Sequence, residues 1–413
     1  MLTKQIEAFE KFKALKVGAL FMQMGTGKTR IALELVNYNK VDYLLYVCPF
    51  SSKDNIEKEI NKWGISCDYD IVGYESIQSS SRIYLETERR LEGKRCFIIA
   101  DESIFIKNEN TNRFNRLVQL RKKCEYALIL NGTPLTKNEW DIYNQMFFLS
   151  PLILNMNRAD FLSTFFTEIT YKKRGQKREK TFYKFSEVNA EYLYKLIEPY
   201  IFKADLDFAK REEEERKYIK YTYTEYTQEK EEALQRVRDG KKDDAYLLKL
   251  LTKLNYIAST YDIKSMNIAN YIKNKQVIVF CSYLEEVEQI SSLVDCYIIT
   301  GATKNRKEII ERFEQDTKPL LMTLGVGSYS LNLQFCNEIV YSSITFDYGL
   351  LEQSKYRIKR IGQERDIKYT YFLTDVKITQ FVLESLKKKK TLKELLEDKI
   401  KTKKTEEIIN EIC

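Results

Sequence analysis

The 413-residue chain contains no histidine. That absence removes histidine general bases, histidine-containing zinc sites and Ser-His-Asp triads, so any catalysis rests on carboxylates, lysine, arginine, hydroxyls or a hard metal ion. No apolar run approaches the roughly 20 residues that span a bilayer. The eight cysteines, at positions 48, 67, 96, 124, 281, 296, 336 and 413, form no CxxC pair. This fits reduced thiols in strands and cores, against a disulfide framework or a zinc site. The opening segment MLTKQIEAFEKFK carries acidic residues and lacks the apolar core of a secretory signal. Cys413 stands last, where prenylation needs a cysteine fourth from the end. Together these absences predict a cytoplasmic protein with no membrane contact.

What is present fits a globular protein of two or three domains. Hydrophobic residues make up 44% and charged residues 31%, ordinary for a packed core with a solvated surface. The net charge of +8 permits a polyanionic partner without demanding one.

Residues 17–30, VGALFMQMGTGKTR, read as an apolar strand, a loop with two glycines and the start of a helix. Gly25 and Gly27 let backbone N–H groups turn inward, and the helix that follows aims its first N–H groups at an anion. Lys28 is placed to reach the β- and γ-phosphates of a nucleotide, and the Thr29 hydroxyl to hold Mg²⁺. Met24, Gly25, Thr26, Gly27, Lys28, Thr29 and Arg30 are therefore the expected nucleotide-binding residues. Met22 stands where the usual pattern has a small residue. Upstream, LTKQIEAFEKFKALK (2–16) reads as an amphipathic helix carrying Gln5. Gln5 is either a solvated glutamine or a bidentate amide that recognises adenine, and its place ahead of a phosphate loop favours the second.

VDYLLYVCPF (41–50) predicts a buried strand, and the helix SSKDNIEKEINKW follows. Ser51 and Lys53 sit at this strand-to-helix junction, which suits either a phosphate group or a simple helix cap. DYDIVGYESI (68–77) reads as a strand and a turn. RCFIIADESIFIKN (95–108) delivers Asp101 and Glu102 to the end of an apolar strand, where adjacent carboxylates call for a cation. Asp101 is expected to bind Mg²⁺, and Glu102 to orient the attacking water. YALILNGTPLTKNEWDIYNQMFFLSP (126–151) reads as a strand, a turn and a long helix; Thr133 is either a turn residue or a γ-phosphate sensor.

Residues 152–205 read as an aromatic, basic and mostly helical insertion with an exposed loop, KKRGQKREK, at 172–180. KREEEERK (210–217) reads as a charged hinge, with the domain boundary beside it: 1–208 and 209–413. The second half alternates strand and helix without a phosphate loop: QVIVFCSYLEEVEQI (276–290), CYIITGATKNRKEIIERFEQD (296–316), KPLLMTLGVGSYSLNL (318–333) and EIVYSSITFD (338–347). In LLEQSKYRIKRIGQ (350–363), the spacing of Gln353, Arg357 and Arg360 predicts one helix face. That face is either an ordinary basic surface or a pair of arginines offered to a γ-phosphate. The tail from 387 reads as a charged amphipathic packing helix. The alternation predicts an α/β fold with parallel sheets and ligand loops at the strands' carboxyl ends.

Taken in order, MGTGKT (24–29), IVGYES (71–76), DESIFIKN (101–108), LNGTPLTKNEWDIYNQMFFLSP, ITGATKNRKEIIERF and QSKYRIKRIGQ (353–363) resemble the motif series of the Swi/Snf-type DNA translocases, a branch of helicase superfamily two. The compact forms found in bacteriophages and bacteria are the most similar. The resemblance implies two tandem RecA-like domains, each a parallel sheet flanked by helices, with helical insertions. It implies ATP and Mg²⁺ as ligands, and double-stranded DNA gripped without regard to sequence. Lys28, Thr29, Asp101 and Glu102 would come from one domain and Arg357 and Arg360 from the other. Ser51, Lys53, Thr133, Ser282, Ser328, Asn332 and Gln353 fall at the expected coupling or nucleic-acid-binding positions. The chain departs from the family pattern at Ile104, Tyr356 and Lys359, and its loop TLGVGSYSLNL (323–333) lacks the usual lysine. A strand-separating helicase and an ATP-gated clamp are the competing readings.

Overall fold

The computed structural model describes the chain except for residues 133–139, 172–179, 206–207, 240–243, 328–332, 361, 389–391, 393–394, 397–398, 401–402 and 413. It divides into two compact units, Met1–Asp207 and Phe208–Cys413. Each holds a six-stranded, all-parallel sheet flanked by helices.

In the first unit the strands are β1 (Val17–Met22), β2 (Tyr43–Cys48), β3 (Asp68–Gly73), β4 (Cys96–Asp101), β5 (Tyr126–Asn131) and β8 (Ile201–Ala204). They lie in the order β3-β2-β4-β5-β1-β8. The central strands are buried on both faces, which is why ALFM, YLLYVC, CFIIA and YALIL read as nearly continuous apolar runs. Two apolar clusters, one on each face of this sheet, form the core. Strands β1 and β4 flank β5 and run parallel to it, so their carboxyl ends lie at one edge of the sheet.

The insertion between β5 and β8 is less helical than its composition indicates. It holds the helices Arg158–Phe165 and Ala190–Ile197, and an antiparallel hairpin of β6 (Phe166–Tyr171) and β7 (Lys180–Phe185). The alternation of aromatic and β-branched residues with polar ones in FTEITY and KTFYKF is a strand pattern that overrides the segment's charge. The segment YESIQS after β3 is a short helix, Tyr74–Ser79, instead of a turn.

The second unit contains β9 (Glu212–Ile219), β10 (Ile278–Cys281), β11 (Tyr297–Ile299), β12 (Leu320–Thr323), β13 (Glu338–Tyr341) and β14 (Ile367–Thr374), in the order β11-β12-β10-β13-β14-β9. The charged run read as a hinge is thus an edge strand. Its glutamates alternate sides, and cations neutralise both: Lys355 and Lys359 from a later helical segment on one, and Lys368 with the strand's own Lys217 on the other. Helices Glu225–Arg238, Asp244–Ser259 and Lys377–Lys388 pack with the carboxyl-terminal helix Thr405–Ile412 into a separate core. Ile408, Ile409 and Ile412 are buried there, so the tail is a packing helix. All seven described cysteines are free thiols. No helix among the described residues is long and apolar enough to cross a membrane.

Candidate nucleotide site

The loop between β1 and the helix Lys28–Asn39 is held open by its glycines. Gly25 and Gly27 adopt φ of 79° and 83°, the left-handed region that side chains avoid. A Cβ on Gly27 would stand 2.3 Å from Gln5 Nε2. Gln5 is therefore part of the loop's wall. It is buried, its Nε2 donates to the Thr26 carbonyl at 2.9 Å, and its Oε1 accepts from the Leu2 N–H at 3.0 Å. Of the two readings of Gln5, the disfavoured one, a solvated surface glutamine, is excluded: the helix face that carries it, with Ala8 and Phe12, is the buried one.

Lys28 Nζ curls over the loop and donates to the carbonyls of Met22 at 2.9 Å and Gln23 at 3.3 Å. The Thr26 hydroxyl donates to the Gln23 carbonyl at 2.7 Å. The Met24 side chain lies against Gly132, at the end of β5. Arg30 turns away from the loop, and its guanidinium stacks 4.1 Å from the centre of the Trp63 ring.

Two strands from β1, Asp101 closes β4. The Tyr46 hydroxyl, from fully buried β2, donates to Asp101 Oδ2 at 3.1 Å and lies beside the Thr29 side chain. The Glu102 N–H donates to Asp101 Oδ1 at 2.9 Å, and the Tyr74 hydroxyl donates to the Asp101 carbonyl at 2.7 Å. Burial pushes the Asp101 carboxyl above the usual range, while Lys28, Tyr46 and the Glu102 N–H pull it back. Tyr46 was not distinguished from a core aromatic by its sequence; its only sign was a hydroxyl in a strand otherwise apolar at every central position.

Glu102 adopts φ 51° and ψ 56°, a left-handed conformation that costs a non-glycine residue about 1–2 kcal/mol. Strain of this kind is held only where the surroundings fix it. Here the helix Trp140–Leu149 does so: Ser103 donates to Gln145 Oε1 at 2.5 Å, Asn144 to the Lys107 carbonyl at 2.5 Å, and Lys107 pairs with Asp141 at 3.7 Å. The Asp-Glu and Ile-Lys-Asn segments are thus one braced turn.

Lys28, Thr29, Asp101 and Glu102, with Gln5 behind the loop, belong to the carboxyl edge of the first sheet. Thr29 and Asp101, with Tyr46 beside both, present a hydroxyl and a carboxylate, hard oxygen donors of the kind that hold Mg²⁺ beside phosphate. Ser51 is exposed in a 3₁₀ turn, and Lys53 opens the next helix with its ammonium 5.9 Å from the Phe50 ring. Thr133, Ser328 and Asn332 lie outside the described residues.

In the second unit the helix carrying Gln353 is Tyr348–Lys355, so Arg357 and Arg360 fall on the turn beyond it, not on one helix face. Beyond Lys355 the backbone tightens, with the Arg357 N–H donating to the Ser354 carbonyl at 3.1 Å and the Ile358 N–H to the Lys355 carbonyl at 3.3 Å, and the next carbonyls are taken by groups outside the helix. The Leu333 N–H donates to the Arg357 carbonyl at 3.2 Å, and Gln363 Nε2 spans the carbonyls of Gln334, Cys336 and Ile358. Arg357 is buried, and Arg360 Nε donates to the Tyr356 carbonyl at 2.8 Å.

Ser282 follows β10. Its hydroxyl is buried without a hydrogen bond among the described residues, while its N–H donates to Glu286 Oε2 at 3.0 Å and Ser343 Oγ at 3.1 Å. Glu286, fully buried, also accepts from the Tyr283 N–H and the hydroxyls of Ser342 and Ser343, and lies 3.5 Å from Lys264 Nζ. Burial pushes the Lys264 ammonium below its ordinary range, with Glu286 opposing.

Two successive helix-flanked parallel sheets, the first with a glycine loop after its β1 strand, define tandem RecA-like domains. A model of the SNF2-related domain matches residues 66–278, 213 of the 413 residues, and one of the helicase conserved C-terminal domain matches 252–362. The chain belongs to the SNF2-related family. An uncharacterized ATP-dependent helicase of Mycoplasma genitalium is 22% identical over 92% of this chain and 40% of its own length. The Caenorhabditis elegans homologue of SWI/SNF-related matrix-associated actin-dependent regulator of chromatin subfamily A-like protein 1 is 22% identical over 85% of this chain and 55% of its own. The chain thus spans about half the length of these curated relatives. The Sulfolobus solfataricus SWI2/SNF2 ATPase core in complex with dsDNA aligns over 99% of this chain and 94% of its own, at 21% identity and a TM-score of 0.43.

Proposed function

We propose that the chain is an ATP-dependent translocase that moves on double-stranded DNA. The observation that carries this is the convergence of Lys28, Thr29, Asp101 and the strained Glu102 at one sheet edge, behind a glycine loop walled by Gln5. In this reading, the loop N–H groups and Lys28 hold the phosphates of ATP, and Lys28 exchanges its loop carbonyls for phosphate oxygens. Thr29 and Asp101 hold Mg²⁺, which offsets phosphate charge when bound. Glu102 accepts a hydrogen bond from the attacking water and orients it towards the γ-phosphorus. Arg357 and Arg360 supply the guanidinium groups that stabilise charge building on the γ-phosphate oxygens.

The absence of histidine directs proton handling to Glu102 and water. Ser51, Lys53, Thr133, Ser282, Ser328, Asn332 and Gln353 remain the proposed coupling and DNA-contact positions. Contacts to the phosphate backbone make the grip independent of sequence. A composition rich in lysine, isoleucine, asparagine and tyrosine fits a low-GC bacterium or its bacteriophage, with action in the host cytoplasm.

DNA-length dependence tests the motor itself. A translocase turns over more ATP per binding event on longer duplexes, up to its processivity limit, whereas a clamp gives one level at every length. Displacement of an annealed strand in the same mixtures would replace this reading with a strand-separating helicase.

A further inference from the structure

Seven residues, 205–211, join β8 of the first unit to β9 of the second. At one end, the Ala204 carbonyl accepts the N–H of Gln23 in the phosphate loop at 3.0 Å. At the other, Phe208 and the first residue of β9 lie against Lys359 in the turn that carries the arginines. Lys359 Nζ pairs with Glu212 at 2.6 Å and lies 5.5 Å from the Phe208 ring and 5.6 Å from the Tyr356 ring. Lys355 Nζ pairs with Glu214 at 2.8 Å and lies 5.2 Å from the Tyr369 ring.

Glu212 and Glu214 share one face of β9 because side chains alternate along a strand. Lys355 and Lys359 share one side of their segment because they are four residues apart, and the Lys359 N–H donates to the Lys355 carbonyl at 3.1 Å. Two glutamates spaced by two on a strand therefore meet two lysines spaced by four on a helical turn. Both lysine side chains are less than one-fifth exposed, while Glu214 and Glu212 are 42% and 34% exposed, so the pairs are shielded from the lysine side only. The β9 backbone is fixed in turn, since it pairs with β14 over its full length, from Glu212 opposite Ile367 to Ile219 opposite Thr374.

We infer that β9 is a brace for the arginine turn, and that Glu212 and Glu214 are positioning residues that set the placement of Arg357 and Arg360 through Lys355 and Lys359. Lys359, one of the chain's departures from the family pattern, is the residue that makes the outer bridge. The inference rests on the ATP-hydrolysis reading for its functional consequence. The brace ties β9 to the arginine turn within the second unit, so a shift of that strand moves the arginines.

Charge reversal tests it. Glu212→Lys and Glu214→Lys are compared singly, and then paired with Lys359→Glu and Lys355→Glu respectively. The readouts are DNA-stimulated ATP turnover and amide hydrogen exchange over residues 353–360, on variants whose melting confirms folding. Each single reversal is expected to lower kcat by about tenfold to a hundredfold, the effect of misplacing a catalytic group by an ångström or less. KM for ATP stays within about twofold, because groups that act in the transition state are being displaced. Exchange across the turn quickens, and each paired reversal restores both readouts. Unchanged kcat and exchange in folded single variants, or a paired variant no better than its single, overturns the brace. The exchange readout needs no turnover. If the unmodified chain hydrolyses no ATP, the functional reading fails, and exchange alone still decides whether β9 holds the turn.

Discussion

The Tyr46 hydroxyl donates to Asp101 Oδ2 at 3.1 Å, so a residue without an exposed atom holds one of the two oxygen donors of the candidate Mg²⁺ site. Tyr46→Phe removes that link and little else. Loss of a partner that orients a metal ligand typically lowers metal affinity or activity by about 10–100-fold. The variant is expected to fold normally and to need more Mg²⁺ for half-maximal turnover. An unchanged Mg²⁺ titration would remove Tyr46 from the site.

Asp101 links activity to stability with opposite signs. Its carboxyl titrates above the ordinary range because it is buried. A raised folded-state value favours the protonated form in the native state. The stabilisation this brings is fully present below the unfolded value of about 3.9 and is lost as pH rises through the folded value. Asp101→Asn, which cannot ionise, is expected to melt above the parent at neutral pH, with the gap closing towards about pH 4. Turnover is lost at every pH. A variant equally destabilised across the range would refute the assignment of burial as the dominant effect.

Glu102 and Arg360 separate binding from hydrolysis. Glu102→Gln keeps the left-handed turn but removes the negative charge proposed to orient water, so ATP is expected to bind and remain uncleaved. Arg360→Ala is expected to lower turnover by roughly 10³–10⁵, the range for an arginine acting on a γ-phosphate, with ATP binding retained. Equilibrium binding of labelled ATP beside single-turnover hydrolysis reads both quantities. Normal hydrolysis in either variant withdraws that residue's role.

Glu286 holds the carboxyl ends of β10 and β13 together through Ser282, Ser342 and Ser343, with Lys264 beside it. Glu286→Ala strands a buried ammonium and removes the acceptor of the Tyr283 N–H and of two hydroxyls, leaving the Ser282 N–H only Ser343 Oγ. Breaking a buried pair in this way typically costs roughly 3–5 kcal/mol. Denaturant unfolding should show that loss, and Glu286→Gln, which keeps an acceptor, should show less. Equal stability of the alanine variant would mean that the network contributes little.

The elements that carry the first site were legible because their strands are short apolar runs cut off by glycine, lysine or carboxylate, at β1 and β4. The parallel α/β architecture followed from the alternation of strand and helix. Tyr46 was hidden because a buried tyrosine and a core phenylalanine leave the same pattern. The β9 strand was read as a hinge because EEEERK repels itself locally, and the lysines that neutralise it lie about 140 residues away in sequence. The helix expected through Arg360 failed for a related reason: Leu333 and Gln363, both outside the helical stretch, capture its carbonyls. Strand β14 and the helices between 225 and 272 drew no reading, since their motifs carry no chemistry.

Steady-state ATP turnover measured without nucleic acid, then with duplex DNA, single-stranded DNA or RNA, tests the central claim most directly. The account predicts low turnover alone and strong stimulation by duplex DNA, weakening with salt by about 0.9 log units of affinity per phosphate contacted for each log unit of salt. Stimulation by single strands or RNA in preference to duplex, or no hydrolysis under any condition, would contradict it.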